Sequence, residues 1–541
     1  MIKNKFKIQD FTLLIVLLAF LKYQYESIII GGTVWDDEGF ITASKRIIEK
    51  ALLYFNDPSN PFLSEFDFNL EFYGYLVAIP IYLISNSEFT ISFFQNLIEM
   101  NPNINVKNFD ELTNIIRFNL LNVYVISGLF LIYKLLNYFY EKTYSLLIVI
   151  FLLLIPSFSG HALFNIKDIP FAIQLFIATL YLLIVETKQS QINYSPNKQK
   201  FVKILLISFL LLVRFNGIVF IGLCSTYLLF LSKEKVKYLF DNAFVYVASL
   251  IIFFVGSPSS WQKPLLYFRE TIKTQFFLDW PQATLTNGKY IYATEMESDY
   301  LVTWFFYKLP IVFHFGLIIS LFLIIKYKKA SPLVTYSLFY IFTINLVFII
   351  FKPVSYDGLR QYIFLIPFFC IVLVDCIDYI KNKQIKVFTV SIFIFYLIFT
   401  QSNLGPYRYT YFNEFVQENK ISSYCNEVGG CGDWATDYWG YSGKQLANKF
   451  NNLKVNEVLL CEPIRVFETY LHEEIKTLDL NEIPKQKEFY LMNIHRPMLS
   501  YDTCGFIDNS INYDCVFVDA VTTELRFNQI NLSYIQKCEL S

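Results

Sequence analysis

Charge is scarce in this chain. Only 17% of its 541 residues are charged, the formal net charge is -1, and the lysines are scattered rather than clustered. Proteins that bind nucleic acid normally carry a basic face, so no nucleic acid partner is expected. No internal repeat or low-complexity segment is visible, and repeats are what many transporter folds are built from. No closed set of metal ligands stands out in the spacing of the residues. Lys3, Lys5 and Lys7 precede the first apolar run in the manner of a signal peptide. That run is too long for a signal core and no small-residue cleavage site follows it, so it is expected to stay as a helix.

What the chain does have is apolar surface. Hydrophobic residues make up 55% of it, against about 45–50% in soluble domains. The excess falls in long uncharged runs, which implies a polytopic α-helical membrane protein. Eleven spans are expected, near 11–31, 117–138, 143–159, 169–186, 202–214, 217–232, 240–257, 303–325, 332–351, 361–380 and 387–401. Segment 71–84 is too short to cross, contains Gly74 and Pro80, and is expected to lie at the interface. The short lysine-bearing loops (Lys142, Lys188–Lys203, Lys233–Lys237, Lys326–Lys329 and Lys381–Lys386) all fall on one face if the N-terminus is cytoplasmic. The C-terminus is then extracytoplasmic, and the loops richest in polar chemistry share the outer face.

Two regions follow. Residues 1–401 form the membrane domain, with a first outer loop over 32–116. Residues 402–541 are far more polar and read as a small mixed α/β domain on the outer face, with strands near Glu457–Cys461, Glu488–Ile494 and Asp514–Val518 and a helix near Ser442–Asn451. Six of the nine cysteines fall in this tail: Cys425, Cys431, Cys461, Cys504, Cys515 and Cys538. An even number on an oxidising face fits disulfides; free buried thiols are the alternative.

Four stretches carry chemistry. Trp35-Asp36-Asp37-Glu38-Gly39-Phe40 sets three acids in a row just after the first span, expected in a wet outer loop. A carboxylate there can act as a general base on a hydroxyl, or simply favour the start of a helix. His161, Asn165, Lys167 and Asp168 crowd one short loop, where a lysine can hold a phosphate or pair with its neighbouring aspartate. Arg214 sits between two short apolar runs, where a buried arginine is costly and so functional or paired. Asp357 and Arg360 lie where a span begins, placing a guanidinium to grip a phosphate bidentately or to meet lipid head groups.

Taken in order, WDDEGF, FNIKDIPFA, YDGLRQYIFLIP, PYRYTYFNE and DYWGYSGKQLANKF resemble the GT-C superfamily of polyprenyl-phosphate-sugar-dependent glycosyltransferases. Within it the chain is similar to the bacterial branch holding protein O-mannosyltransferases and the lipid A aminoarabinose transferase. The resemblance covers nearly the whole chain. It implies a multi-pass protein of the bacterial inner membrane that transfers a sugar from a polyprenyl-phosphate donor to a hydroxyl acceptor, on protein, lipid or glycan, with inversion. The family's Asp-Glu pair falls on Asp37 and Glu38, with Asp37 the implied base and Asp36 an extra acid. Lys167, Asp168, Arg360, Asp357, His161 and Arg214 are the implied donor-phosphate and substrate contacts. This sequence has Ile166 where relatives often have proline, and Gln361 near where they often have arginine. A polyprenyl phosphate leaves readily, so one base plus positive charge on the phosphate suffices. A divalent metal shared by Asp37, Glu38 and the phosphate is chemically admissible. The alternative from another class is a transporter or flippase of lipid-linked sugars, which the lack of repeats and the outer placement of the polar residues disfavour. A binding or assembly protein of the envelope would fit the tail but leaves the acidic triplet unexplained.

Overall fold

The computed structural model describes residues 8–540 except 67–68, 101–105, 107, 189–190, 192–193, 279, 281–282, 329, 418–419, 422–431, 480–486, 495–503 and 505–512. Seven of the helices described are long and apolar enough to cross a bilayer: Ile8–Ile30, Phe109–Leu136, Asp168–Thr187, Lys235–Val255, Pro332–Phe351, Arg360–Asp378 and Lys383–Thr410. An eighth results if Tyr300–Lys308 and Ile311–Tyr327, bent by 112° at their junction, count as one span. The chain is thus a multi-pass membrane protein.

Prolines account for two of the four expected runs that are not single straight spans. The run expected at 143–159 breaks into Lys142–Leu154 and Pro156–His161, with Ile155 extended between them. A residue before proline is pushed out of the helical region, and Leu309 before Pro310 makes the 112° bend in the same way. The runs at 202–214 and 217–232 become Pro196–Val213, which begins in a lysine-bearing turn, and the 15-residue Gly217–Leu231. Segment 71–84 contributes the eight-residue helix Ala78–Ser85. At 1.5 Å per residue it spans about 12 Å, far short of the roughly 30 Å hydrocarbon layer.

Asp168–Thr187 is the hub. It is buried almost end to end and packs on Phe109–Leu136, Pro196–Val213, Gly217–Leu231 and the turn Arg360–Leu365. A helix that is apolar all round belongs in the middle of a bundle. The charged residues at its start are therefore carried into the protein interior.

The tail forms a mixed five-stranded sheet in the order Lys476–Thr477, Glu457–Leu460, Glu488–Ile494, Asn528–Leu540, Tyr513–Leu525. Helix Gly443–Asn451 covers it through Leu446, Ala447 and Phe450. The strand expected at 514–518 is longer, because Tyr513–Leu525 forms a hairpin with Asn528–Leu540. Its turn residues, Arg526 and Phe527, are not the Asn-Gly type that marks hairpins in a sequence; Arg526 adopts φ +63°. Cys461 bonds to Cys504 and Cys515 to Cys538, while Cys425 and Cys431 lie outside the described residues.

This tail is not separate from the helical body. Gly32 N–H donates to the Tyr441 carbonyl and Trp35 N–H to the Trp439 carbonyl, both at 3.1 Å. A Cβ on Gly31 would run into the Tyr441 ring. One apolar cluster joins Ile28, Val34, Phe118 and Phe164 of the body to Tyr407, Trp439, Tyr441, Phe450 and Phe467 of the tail.

The turn at the joint is built on Asp437. Its fully buried carboxylate accepts the backbone N–H of Tyr441 at 3.0 Å and of Ser442 at 2.9 Å, as well as the hydroxyls of Ser442 and Tyr409. Asp437→Ala would strand two buried N–H groups, at about 1–3 kcal/mol each. The expected result is a clearly lowered unfolding midpoint in detergent; an unchanged midpoint would show that the turn is held by other contacts.

Candidate functional site

The acidic triplet is not in a loop. It is the first turn of the 22-residue helix Trp35–Asn56, where negative charge meets the positive end of the helix dipole. Consecutive helical residues point about 100° apart, so three acids in a row cannot serve one spot. They diverge to three partners. Asp36 faces Arg360 at 3.3 Å and Lys167 at 3.9 Å. Asp37 accepts from Arg117 at 2.6 Å. Glu38 pairs with Arg465 of the tail.

Their exposures separate their roles. The Asp37 side chain is 12% exposed, Asp36 25% and Glu38 57%. Asp37 is therefore not the wet carboxylate expected from the sequence. Burial pushes its pKa above the usual carboxylate value, and the Arg117 guanidinium pulls it back part of the way. Arg117 was overlooked as a site residue. The signal that singled out Arg214, an arginine in an apolar run, applied equally to it.

The six donor-contact candidates gather in one network beside Asp36. Asn165 starts it: its side-chain oxygen accepts the N–H groups of Lys167 and Asp168 at 3.2 and 2.9 Å, which fixes the turn leading into the hub helix. Its amide then donates to Asp168 at 3.0 Å and approaches His161 Nδ1 at 3.2 Å. The other oxygen of Asp168 binds Arg214 at 2.5 Å. Asp357 binds Arg360 at 3.1 Å. Asp357 and Gly358 hold φ +55° and +71°, and a Cβ on Gly358 would press on the Trp304 ring at 3.0 Å, so this tight turn needs its glycine.

His161 is buried, which pushes its pKa down to about 3, so it is neutral at pH 7. Because Asn165 can only donate to Nδ1, the proton is assigned to Nε2, which donates to the Tyr438 hydroxyl at 2.9 Å. His161 therefore holds tail and hub together and presents no charge to a ligand.

Aromatic rings line the cations. Lys167 Nζ lies 4.6 Å from the Tyr73 ring centre. The Arg360 guanidinium carbon lies against the rings of Tyr356 and Trp439, at 4.7 and 4.8 Å. Nε of Arg214, Arg360 and Arg117 is in each case buried without a hydrogen-bond partner among the described residues.

Two cavities flank this cluster, and they share no lining residue. One, of about 690 Å³, is polar and is lined by Asp37, Glu38, Lys45, Asp110, Asn114, Arg117 and tail residues 462–469. The other, of about 450 Å³, is mainly apolar: Phe220, Phe276, Phe348, Phe351 and Val354 form its walls, with Arg214, Tyr73, Tyr356 and Gln361 at its polar end. Asp168 and Arg360 line neither cavity; they are linked to Asp37 through the Asp36 end of the helix.

The pair Asp37 and Glu38 does not fit a resident metal ion. Each carboxylate is taken up by a guanidinium, and no group of three or more metal-binding side chains gathers among the described residues.

No protein-family model and no curated protein matches the chain. A solved structure does: the crystal structure of ArnT from Cupriavidus metallidurans bound to undecaprenyl phosphate, at 11% identity, with 97% of each chain covered and a TM-score of 0.50. The correspondence runs through both the helical body and the tail. The chain thus has an ArnT-like fold.

Proposed function

We propose that this protein is a membrane glycosyltransferase that moves a sugar from a polyprenyl-phosphate donor to a hydroxyl acceptor on the extracytoplasmic side of a bacterial inner membrane. The observation that carries this reading is the position of Lys167, Arg214 and Arg360. All three are buried: Arg214 lines the apolar groove, and Arg360 and Lys167 pair with Asp36, the neighbour of Asp37, whose carboxylate lines the polar cavity. A solved structure of like fold holds undecaprenyl phosphate, which supports a donor of this kind.

On this reading the polyprenyl tail lies in the 450 Å³ groove, with its phosphate toward Arg214. The unpartnered Nε of Arg214 and of Arg360 supply donors to the phosphate oxygens, and charge-assisted bonds to an arginine fork suit that geometry. Lys167 adds a point charge. The acceptor approaches through the 690 Å³ cavity, where Asp37 takes the proton of its hydroxyl as the bond to the anomeric carbon forms. The sugar–phosphate bond breaks with its electron pair on the phosphate oxygen, and the cations stabilise that charge. Attack from the face opposite the phosphate inverts the sugar. Arg117 orients the Asp37 carboxylate and keeps it ionised. Glu38, paired with Arg465 at the rim, shapes the acceptor side.

Asp37→Asn keeps an oxygen for Arg117 and removes the base. Transfer of labelled sugar in liposomes is expected to fall by roughly 10²–10⁴-fold, with donor binding near normal and thermal stability followed in parallel because the residue is nearly buried. Arg360→Ala is expected to weaken donor binding as well as transfer, and Glu38→Gln to have a smaller effect than Asp37→Asn. Normal transfer by Asp37→Asn would move the base to Asp36 or Glu38.

The pH profile gives a second test. A base works deprotonated, so the rate falls as pH drops through its pKa. Arg117 holds the Asp37 pKa down. Arg117→Gln should therefore shift the acid limb of the rate profile to higher pH and slow transfer at neutral pH. An acid limb that stays in place would rule out Asp37 as the titrating base.

A further inference from the structure

The tail turn Asp437–Gly443 meets the cations of the proposed donor site through Trp439. We propose that Trp439 is a positioning residue for the donor phosphate, acting by holding the guanidinium of Arg360; this rests on the glycosyl-transfer reading above.

Trp439 is 2% exposed and its ring centre lies 4.8 Å from the Arg360 guanidinium carbon, with the ring of Tyr356 at 4.7 Å. Two rings against one guanidinium restrict its movement. Its N–H groups remain for partners. Two of its nitrogens meet Asp36 and Asp357, and Nε, buried, has no hydrogen-bond partner among the described residues. A phosphate oxygen is the kind of acceptor that N–H group is arranged to meet.

The ring is itself held at every residue of the turn. Asp437 collects the N–H groups of Tyr441 and Ser442, and Tyr438 accepts from His161. Gly440 takes φ +71°, where a Cβ would lie 2.9 Å from Val466. The carbonyl of Trp439 accepts the N–H of Trp35, the first residue of the acidic helix. One residue thus fixes Arg360 by its ring and the start of the helix bearing Asp36 by its backbone. The tail sets the register between the cation and its counter-ion.

The attraction of a cation to a ring face is lost when an aliphatic side chain of similar bulk replaces the ring. The test compares wild type, Trp439→Leu and Trp439→Phe as full-length protein in nanodiscs, with undecaprenyl phosphate and undecaprenol as probes. Trp439→Leu should weaken undecaprenyl phosphate by roughly 3- to 30-fold, the range of a buried cation–π contact, and leave undecaprenol unchanged. Trp439→Phe should stay within about threefold of wild type. Equal loss for both probes, or Phe no better than Leu, would assign Trp439 to packing and overturn the proposal, as would unchanged phosphate affinity in Trp439→Leu. Wild type that does not prefer the phosphate to the alcohol would instead overturn the glycosyl-transfer reading beneath it. If Trp439→Leu does not fold, Trp439→Met is compared with Trp439→Phe and read the same way.

Discussion

Buried positive charge is the constraint on which the rest of this structure depends. Lys167, Arg214 and Arg360 are each at most 6% exposed. A buried ion is tolerated only when paired and hydrogen-bonded. Three carboxylates meet the need: Asp168 for Arg214, Asp357 for Arg360, and Asp36 shared by Arg360 and Lys167. Arg117 and Asp37, the residue after Asp36, repeat the arrangement. The balance is one cation to one anion, with guanidinium N–H groups left over. That surplus of donors, rather than of charge, is what makes the cluster receptive to an anion.

The balance comes from five separated parts of the chain, so the fold must bring them together. The hub helix Asp168–Thr187 can run through the bundle because its sides are apolar, but its start then has to be fixed and neutralised, which Asn165 and Arg214 do. The turn before Arg360 brings its guanidinium to the same place. The acidic helix is set by backbone bonds from Gly32 and Trp35 to the tail. The tail is therefore part of the site and not a lid placed over it: Tyr438 reaches His161, Trp439 covers Arg360, and Arg465 meets Glu38.

Separation of the two cavities follows from helix geometry. Because residues 36, 37 and 38 fan out by about 100° each, the helix start presents one acid to the cations and two to the polar cavity. On the proposed reading, the lipid-linked donor and the acceptor approach from these different sides and meet at the helix tip. The two cavities also differ in lining: Phe220, Phe276, Phe348 and Phe351 wall the apolar groove, whereas the first turns of helices Trp35–Asn56 and Phe109–Leu136 and residues of the tail line the polar cavity.

Much of this was legible in the sequence. Long uncharged runs dictated a helical membrane body, because backbone polar groups have no partner in lipid other than those within a helix. Arg214 and the groups flanking the hub helix stood out because charge in an apolar setting is expensive. The polar tail with its short strands was readable from the change in composition and alternation. Tertiary structure alone decided how many of the runs stay whole, since prolines at 156 and 310 divide or bend them by local sterics that a hydropathy count does not register. It alone paired the charges. Asp36, Asp37 and Glu38 are equivalent as letters, and only the direction of each side chain from the helix separates the one facing Arg360 from the one buried against Arg117 and the one exposed at the rim. Trp439 shows the same limit: its meaning lies in the cation beneath it, 79 positions earlier in the chain, and proximity of that kind is a property of the folded molecule.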